Sequence, residues 1–255
     1  MSDQGPIPDR DADFRLIETL LWTREDGFAL LAEHLARLAG SSAALGFCYD
    51  EEKVGAALAK MIPPPQPSPA EGRLIRRPSL DDLLREREQA AAPAQRLRVR
   101  LVLSRDGAIE TSAAPIEPTP PETLWRVAIA ERRFSSADPL LRYKTTRRAL
   151  YEDALADAAT RYGADEVLFL NERDELCESA RCNLFVPHGE MLLTPPLSSG
   201  LLPGTLRASL ISQGRAREAA LRLEDLGEEF FLGNSVRGLV RAARLAACDA
   251  TDHMR

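Results

Sequence analysis

Lysine is scarce in this chain of 255 residues. Of the 33 basic residues only Lys53, Lys60 and Lys144 are lysines, which leaves 33 − 3 = 30 arginines. Arginine-favouring codon usage accounts for the imbalance, yet it has a consequence. Chemistry that needs a reactive amine has only three side chains to choose from. The three histidines lie far apart, which argues against a histidine-based metal site. The four cysteines (Cys48, Cys177, Cys182, Cys248) are too few for a disulfide scaffold, and none forms a CxxC pair of the kind that holds structural zinc. No apolar run reaches the roughly 18 residues that cross a bilayer. Met1 to Asp13 is polar and acidic, unlike a signal or transit peptide. A cytoplasmic protein is therefore expected. A net charge of −6 lacks the basic face that general nucleic-acid binding requires. What is present, 44% hydrophobic and 28% charged residues, suffices for a core in one large domain or two small ones.

Phe14 to Trp22 reads as a strand, and Arg24 to Gly27 as a turn. Leu31, Leu35, Leu38 and Leu45 fall at helical spacing within Phe28 to Leu45, with Gly46 as a stop. Glu51 to Met61 predicts a second helix. The run Ile62 to Pro69 is too rich in proline for helix or central strand, and opens an insertion that extends to residue 92. Its own charged stretch, Leu80 to Ala92, predicts a short exposed helix. Arg96 to Leu103 alternates arginine with apolar residues, the period of a half-buried strand, and Ser104 to Gly107 reads as a hairpin turn. Pro115 to Pro121 is the expected boundary between a small domain, 1–120, and a larger one, 121–255. Beyond it, Trp125 to Ala130 predicts a strand. Thr146 to Tyr162 predicts a helix closed by Gly163. Val167 to Leu170, Asn183 to Val186 and Met191 to Thr194 predict strands. Gly200 to Arg207 is a Gly/Pro loop opening a helix, and a further short helix is expected between Leu223 and Glu229. Mixed elements with a proline boundary imply a two-domain α+β (mixed α/β) fold.

Four segments carry candidate chemistry. Lys144 lies in LLRYKTTRR at an expected helix start, where a lone lysine is ordinarily a solvated surface residue. LCESARCNLF sets Glu178 between two strands. GLLPGT presents free backbone N–H groups at a helix start, a natural anion site. LGNS ends a strand with small polar groups, among them Ser235, whose hydroxyl can donate to an anion.

Taken in order, EHLARL (Glu33 to Leu38), KTTRR, ESARCNLF, TPPLSSGLLPGTLR and GNSVRG resemble the fold-type IV pyridoxal-phosphate enzymes, from about Phe14 to Ala242. That family includes branched-chain and D-amino acid aminotransferases and 4-amino-4-deoxychorismate lyase. The KTTRR, TPPLSSGLLPG and GNSVRG forms most resemble the lyase, especially the version fused behind aminodeoxychorismate synthase. The resemblance implies a D-amino acid aminotransferase-like fold with pyridoxal 5'-phosphate as cofactor and no metal. Lys144 would be the Schiff-base lysine, its pKa lowered by burial or by Arg142, Arg147 and Arg148. Glu178 would face the pyridine nitrogen. Arg37 would grip the phosphate, completed by the N–H groups of Thr205 and Leu206, the Ser235 hydroxyl and Asn234. Arg100 or Arg98 would bind a substrate carboxylate, with Thr19 and Tyr143 nearby. His34 reads better as a packed or capping histidine than as a ligand.

Tyr143 stands where lyases often have histidine, and the insertion from about Pro63 to Ala92 exceeds what the family blocks lead one to expect. Neither departure touches Lys144 or Glu178. The expected activity is a lyase that releases pyruvate and 4-aminobenzoate, a folate precursor, with a branched-chain or D-amino acid aminotransferase as the alternative and a non-catalytic partner of the synthase as a minor one. A small-molecule substrate, a homodimer and association with the synthase are the expected partners.

Overall fold

The computed structural model describes residues 14–63 and 96–245. The helix expected at Leu80 to Ala92 and most of the proline-rich run lie outside the described residues. The fold is α+β, built on two sheets.

The first sheet has the order β2-β1-β3-β4. Strand β1 (Leu16–Thr23) runs antiparallel to β3 (Arg96–Leu103), from Leu16 opposite Leu103 to Thr23 opposite Arg96. The short β2 (Gly27–Phe28) and β4 (Ile109–Pro115) flank them. The alternation in β3 has the expected outcome: Leu97, Val99 and Leu101 are buried, while Arg98 and Arg100 are exposed. The buried face packs on α1 (Leu31–Leu45) and α2 (Glu51–Ala59) through Leu38, Leu45, Val54 and Leu58. Gly46 ends α1 with φ 72°, a left-handed conformation that glycine adopts without strain.

The second sheet has the order β10-β9-β8-β11-β12-β5-β6-β7, and β7 pairs back onto β8 through Glu178 opposite Asn183. Its strands are β5 (Leu124–Ile129), β6 (Glu166–Leu170), β7 (Leu176–Ser179), β8 (Asn183–His188), β9 (Met191–Thr194), β10 (Ala216–Glu218), β11 (Phe230–Asn234) and β12 (Gly238–Arg244). Six of them, from β8 through β11, β12, β5 and β6 to β7, therefore close into a barrel. Every residue of β6 is buried, because its two faces meet two different cores. Leu168 and Leu170 join Val127, Leu184 and Leu232 in one, while Val167 and Phe169 join Ala128, Phe134 and Leu155 in the other. Leu155 belongs to α3 (Ala149–Tyr162), which connects β5 to the parallel β6 and ends at Gly163 with φ 63°. Helix α4 (Thr205–Ser212) begins at the expected Gly/Pro loop. The short helix between β10 and β11 is a 3-10 turn at Leu223–Asp225.

One expectation is corrected. The helix predicted from Thr146 starts at Ala149, and Lys144 does not open it. Lys144 to Thr146 instead form an extended bridge to β1. The Ile17 N–H donates to Lys144 O at 2.9 Å, and the Thr146 N–H to Arg15 O at 2.9 Å. The Arg15 N–H donates to Thr146 Oγ1 at 2.9 Å. Two adjacent β-branched threonines favour extended backbone, and this bridge meets their hydrogen-bonding needs.

Candidate active site

The bridge positions Lys144, which is partly buried and surrounded by charge. Loss of hydration lowers its amine from 10.5 to about 8, helped by the positive charges of Arg37 and Arg148 and opposed by Glu18 and Glu178. Arg142 and Arg147, also expected to act, are exposed and point to no such role. Across the site Glu178 is buried at the barrel seam. Burial raises its carboxyl to about 7, against hydrogen bonds from Tyr151 and Leu202 and the charges of Arg148 and Lys144. The Tyr151 hydroxyl donates to Glu178 Oε1 at 3.0 Å, and the Leu202 N–H to Oε2 at 3.2 Å. Asn183 Nδ2 adds a long contact to Oε2 at 3.4 Å. Tyr151 is itself wedged edge-on against Phe134 and Phe169, with the Arg148 guanidinium 4.9 Å over its ring.

A second cluster forms a cup at the start of α4. Its N-cap, Gly204, offers no side chain to the N–H groups of the first turn. A Cβ on Gly204 would lie 1.9 Å from Asn183 Oδ1, so only glycine permits this approach of α4 to the barrel. His34 Nε2 lies 3.0 Å from Ser235 Oγ and 3.3 Å from Thr205 Oγ1, and its Nδ1 lies 2.6 Å from Glu18 Oε2. Arg37 donates through Nε and Nη2 to Glu18 at 2.9 and 2.6 Å, and through Nη1 to Pro203 O at 3.1 Å. Burial alone would raise the Glu18 carboxyl, but the Arg37 charge and the hydrogen bonds from His34 and Arg37 bring it down to about 2.

The structure thus brings Lys144, Glu178, Arg37, Thr205, Leu206 and Ser235 to one region. Other expected residues fall elsewhere. Asn234 builds the turn rather than the cup: its Oδ1 accepts from Val236 N and Arg237 N at 3.0 Å, and its Nδ2 donates to Arg181 O and Cys182 Sγ. It aims Ser235 from behind. Tyr143 packs against the core of the first sheet. Thr19, half-buried, pairs with Arg100 across β1 and β3, on the face opposite Glu18. Arg98 lines a cavity of about 450 Å³ with Trp125 and Arg237, whereas Arg100 does not border it.

Sequence reasoning missed Glu18 and Tyr151. Glu18 had a signal, a single carboxylate inside the apolar strand LIETLLW, since a buried charge is retained only with partners. Tyr151 had none, because a tyrosine in the first turn of a helix is ordinary packing. His34 is buried as a packed histidine should be, at 1% exposure, but it also touches both cup hydroxyls.

These donors fit pyridoxal phosphate. Uncapped N–H groups, two hydroxyls and an arginine suit its phosphate, a lysine of lowered pKa suits its aldehyde, and a buried carboxyl suits its pyridine nitrogen. Site and fold together describe a fold-type IV enzyme. The amino-transferase class IV family matches residues 15–245, and the chain belongs to that family of pyridoxal-phosphate enzymes. A Schizosaccharomyces pombe protein named "Putative aminodeoxychorismate lyase" is 27% identical over 228 residues, covering 87% of this chain and 86% of its own. The solved structure of a "Putative amino-acid aminotransferase" from Mesorhizobium loti is 38% identical with a TM-score of 0.75, covering 91% of this chain and 100% of its own. The PLP-bound form of "a hypothetical aminotransferase" from Mycobacterium tuberculosis shares the fold at 20% identity and a TM-score of 0.67, covering 96% and 87%.

Proposed function

We propose that this enzyme is a 4-amino-4-deoxychorismate lyase, releasing pyruvate and 4-aminobenzoate. The likeness to the S. pombe relative over 87% of the chain carries the reading. The blocks KTTRR, TPPLSSGLLPG and GNSVRG, which most resemble the lyase, support it by supplying three walls of the site.

When bound, the cofactor supplies an electron sink for charge left on the substrate carbon. The residues of this chain do the rest. Arg37, the first N–H groups of α4 and the hydroxyls of Thr205 and Ser235 would hold the cofactor's phosphate. Glu178, clamped by Tyr151 and Leu202, would face the cofactor's ring nitrogen and keep it protonated. Lys144 Nζ, with its pKa near 8, takes the proton from the amine-bearing carbon and returns one to the departing enolpyruvyl group. One proton is removed and one delivered, so a single lysine closes the balance. Arg100 or Arg98, which share a strand face with Thr19, would pair with a substrate carboxylate. The catalytic unit we propose is a cytoplasmic homodimer that associates with aminodeoxychorismate synthase, each chain dividing near residue 120.

The M. loti relative favours a second reading, an amino-acid aminotransferase, for which we propose a branched-chain or D-amino acid as substrate. Supplying aminodeoxychorismate in one arm, and leucine or D-alanine in the other, separates them. The lyase forms 4-aminobenzoate and converts no bound cofactor to its pyridoxamine form with the amino acids. A complete half-reaction with either amino acid and no 4-aminobenzoate would overturn the lyase reading.

A further inference from the structure

We propose that Arg148 is a cofactor-binding residue whose guanidinium pairs with the phenol oxygen of pyridoxal phosphate. The inference rests on placing the cofactor with its nitrogen at Glu178, its aldehyde at Lys144 and its phosphate in the cup.

The groups of pyridoxal phosphate follow a fixed order around its ring. The phosphate arm, the aldehyde and the phenol oxygen stand on three successive carbons. The methyl-bearing carbon follows, then the nitrogen, and one more carbon leads back to the phosphate arm. The loop Leu202 to Gly204 takes that short way from nitrogen to phosphate. The Leu202 N–H donates to Glu178 Oε2 at 3.2 Å, Pro203 O accepts from Arg37 at 3.1 Å, and Gly204 is the N-cap of α4. The opposite edge, from Lys144 round to Glu178, belongs to the phenol oxygen and the methyl group. Arg148 holds that edge. It lies four residues beyond Lys144, at the N-cap of α3. Its Nη2 donates to Ala180 O, in the turn that follows Glu178. Its guanidinium sits 4.9 Å from the centre of the Tyr151 ring, whose hydroxyl donates to Glu178 at 3.0 Å. Its charge reaches both Lys144 and Glu178.

Arg148 also has donors to spare. Its Nη1 makes no hydrogen bond among the described residues, and its ion pair with the exposed Glu152 is long, 3.8 Å from Nε. The ring and the carbonyl fix the guanidinium without exhausting it. A phenol on a protonated pyridine ring is acidic, so its oxygen carries negative charge, and burying that charge calls for a partner. Arg37 is occupied by Glu18 and the cup, and Lys144 by the aldehyde. Of the cations acting on Lys144, Arg148 is the one left for the phenol oxygen, and an arginine keeps its charge throughout.

Binding of two compounds to the full-length apoenzyme tests this. Pyridoxine 5'-phosphate carries an alcohol in place of the aldehyde, so it binds without joining Lys144, and 3-deoxypyridoxine 5'-phosphate lacks only the phenol oxygen. By calorimetry the wild type should bind the first about ten- to a hundredfold more tightly, the worth of a hydrogen bond between charged groups. In Arg148→Gln the two affinities should converge, mainly through loss for pyridoxine phosphate. Arg148→Leu, which keeps the stem on Tyr151, replaces that variant should it not fold. An arginine that only packs would weaken both compounds alike, and a preference that survives in the variant overturns the inference. Equal affinities in the wild type overturn it with no variant needed. A wild type that binds neither compound and takes up no pyridoxal phosphate overturns the placing of the cofactor as well.

Discussion

Replacing Glu18 with glutamine tests how the cup is held together. Glu18 is buried, accepts two bonds from Arg37 and one from His34, and its carboxyl falls from an ordinary 4.5 to about 2. A drop of about 2.5 units corresponds to about 3 kcal/mol in favour of the folded carboxylate. Glutamine keeps the shape and one acceptor oxygen but turns an N–H₂ toward a donor, so Glu18→Gln should lose about that much. For a protein of this size the loss is a fall of about 6–12 °C in melting temperature. The assay is thermal and urea unfolding of both proteins without cofactor, across pH. Because the folded pKa is depressed, the stabilisation is fully present above about 4.5 and is lost as pH falls toward 2. The gap between wild type and variant should therefore be widest near neutrality and close below pH 4.5. A gap under about 1 kcal/mol at pH 7, or one that does not narrow in acid, would refute the reasoning.

Three further outcomes follow from the same geometry. The Lys144 amine, lowered from 10.5 to about 8, should capture pyridoxal phosphate at a rate that rises with pH and levels above about 8; at pH 7.5 the neutral fraction is roughly two hundredfold that of a free lysine. Stopped-flow reconstitution of the apoenzyme measures it, and a rate still climbing at pH 10 contradicts it. Tyr151→Phe removes a donor that favours the Glu178 carboxylate, so the Glu178 titration should move upward from about 7, with a loss of about 1.5–3 kcal/mol in cofactor affinity or rate. A pH–rate profile unchanged from wild type would show that the bond is idle. Gly204→Ala forces the displacement of Asn183 or α4 and should cost about 1–3 kcal/mol of stability and weaken cofactor retention, both readable by calorimetry.

Local pattern made much of the fold legible. The alternation of RLRVRLVL, the spacing of leucines in α1 and the stops at Gly46 and Gly163 each follow from one short-range rule, and the strand, the body of α1 and both stops formed where expected. The Lys144 segment was misread because Thr145 and Thr146 pair with β1 across some 130 residues of sequence, and no local periodicity encodes that pairing. Closure of the barrel at Glu178 and Asn183 was hidden for the same reason. In the site, Lys144, Glu178 and Arg37 were legible through the resemblance that their segments bear to the family. Those that act by holding others, Tyr151 behind Glu178 and Glu18 behind Arg37 and His34, were not, since their importance lies in the partner each touches.

The central claim is that Lys144 and Glu178 form one catalytic unit with pyridoxal phosphate in a lyase. Purified enzyme, supplied with aminodeoxychorismate and monitored for 4-aminobenzoate beside its absorbance spectrum, tests it most directly. The account predicts bound cofactor and 4-aminobenzoate formation in the wild type, and loss of both the bound-cofactor absorbance and the product in Lys144→Ala. Product formation that survives in Lys144→Ala, or bound cofactor that turns over amino acids and never aminodeoxychorismate, would contradict it.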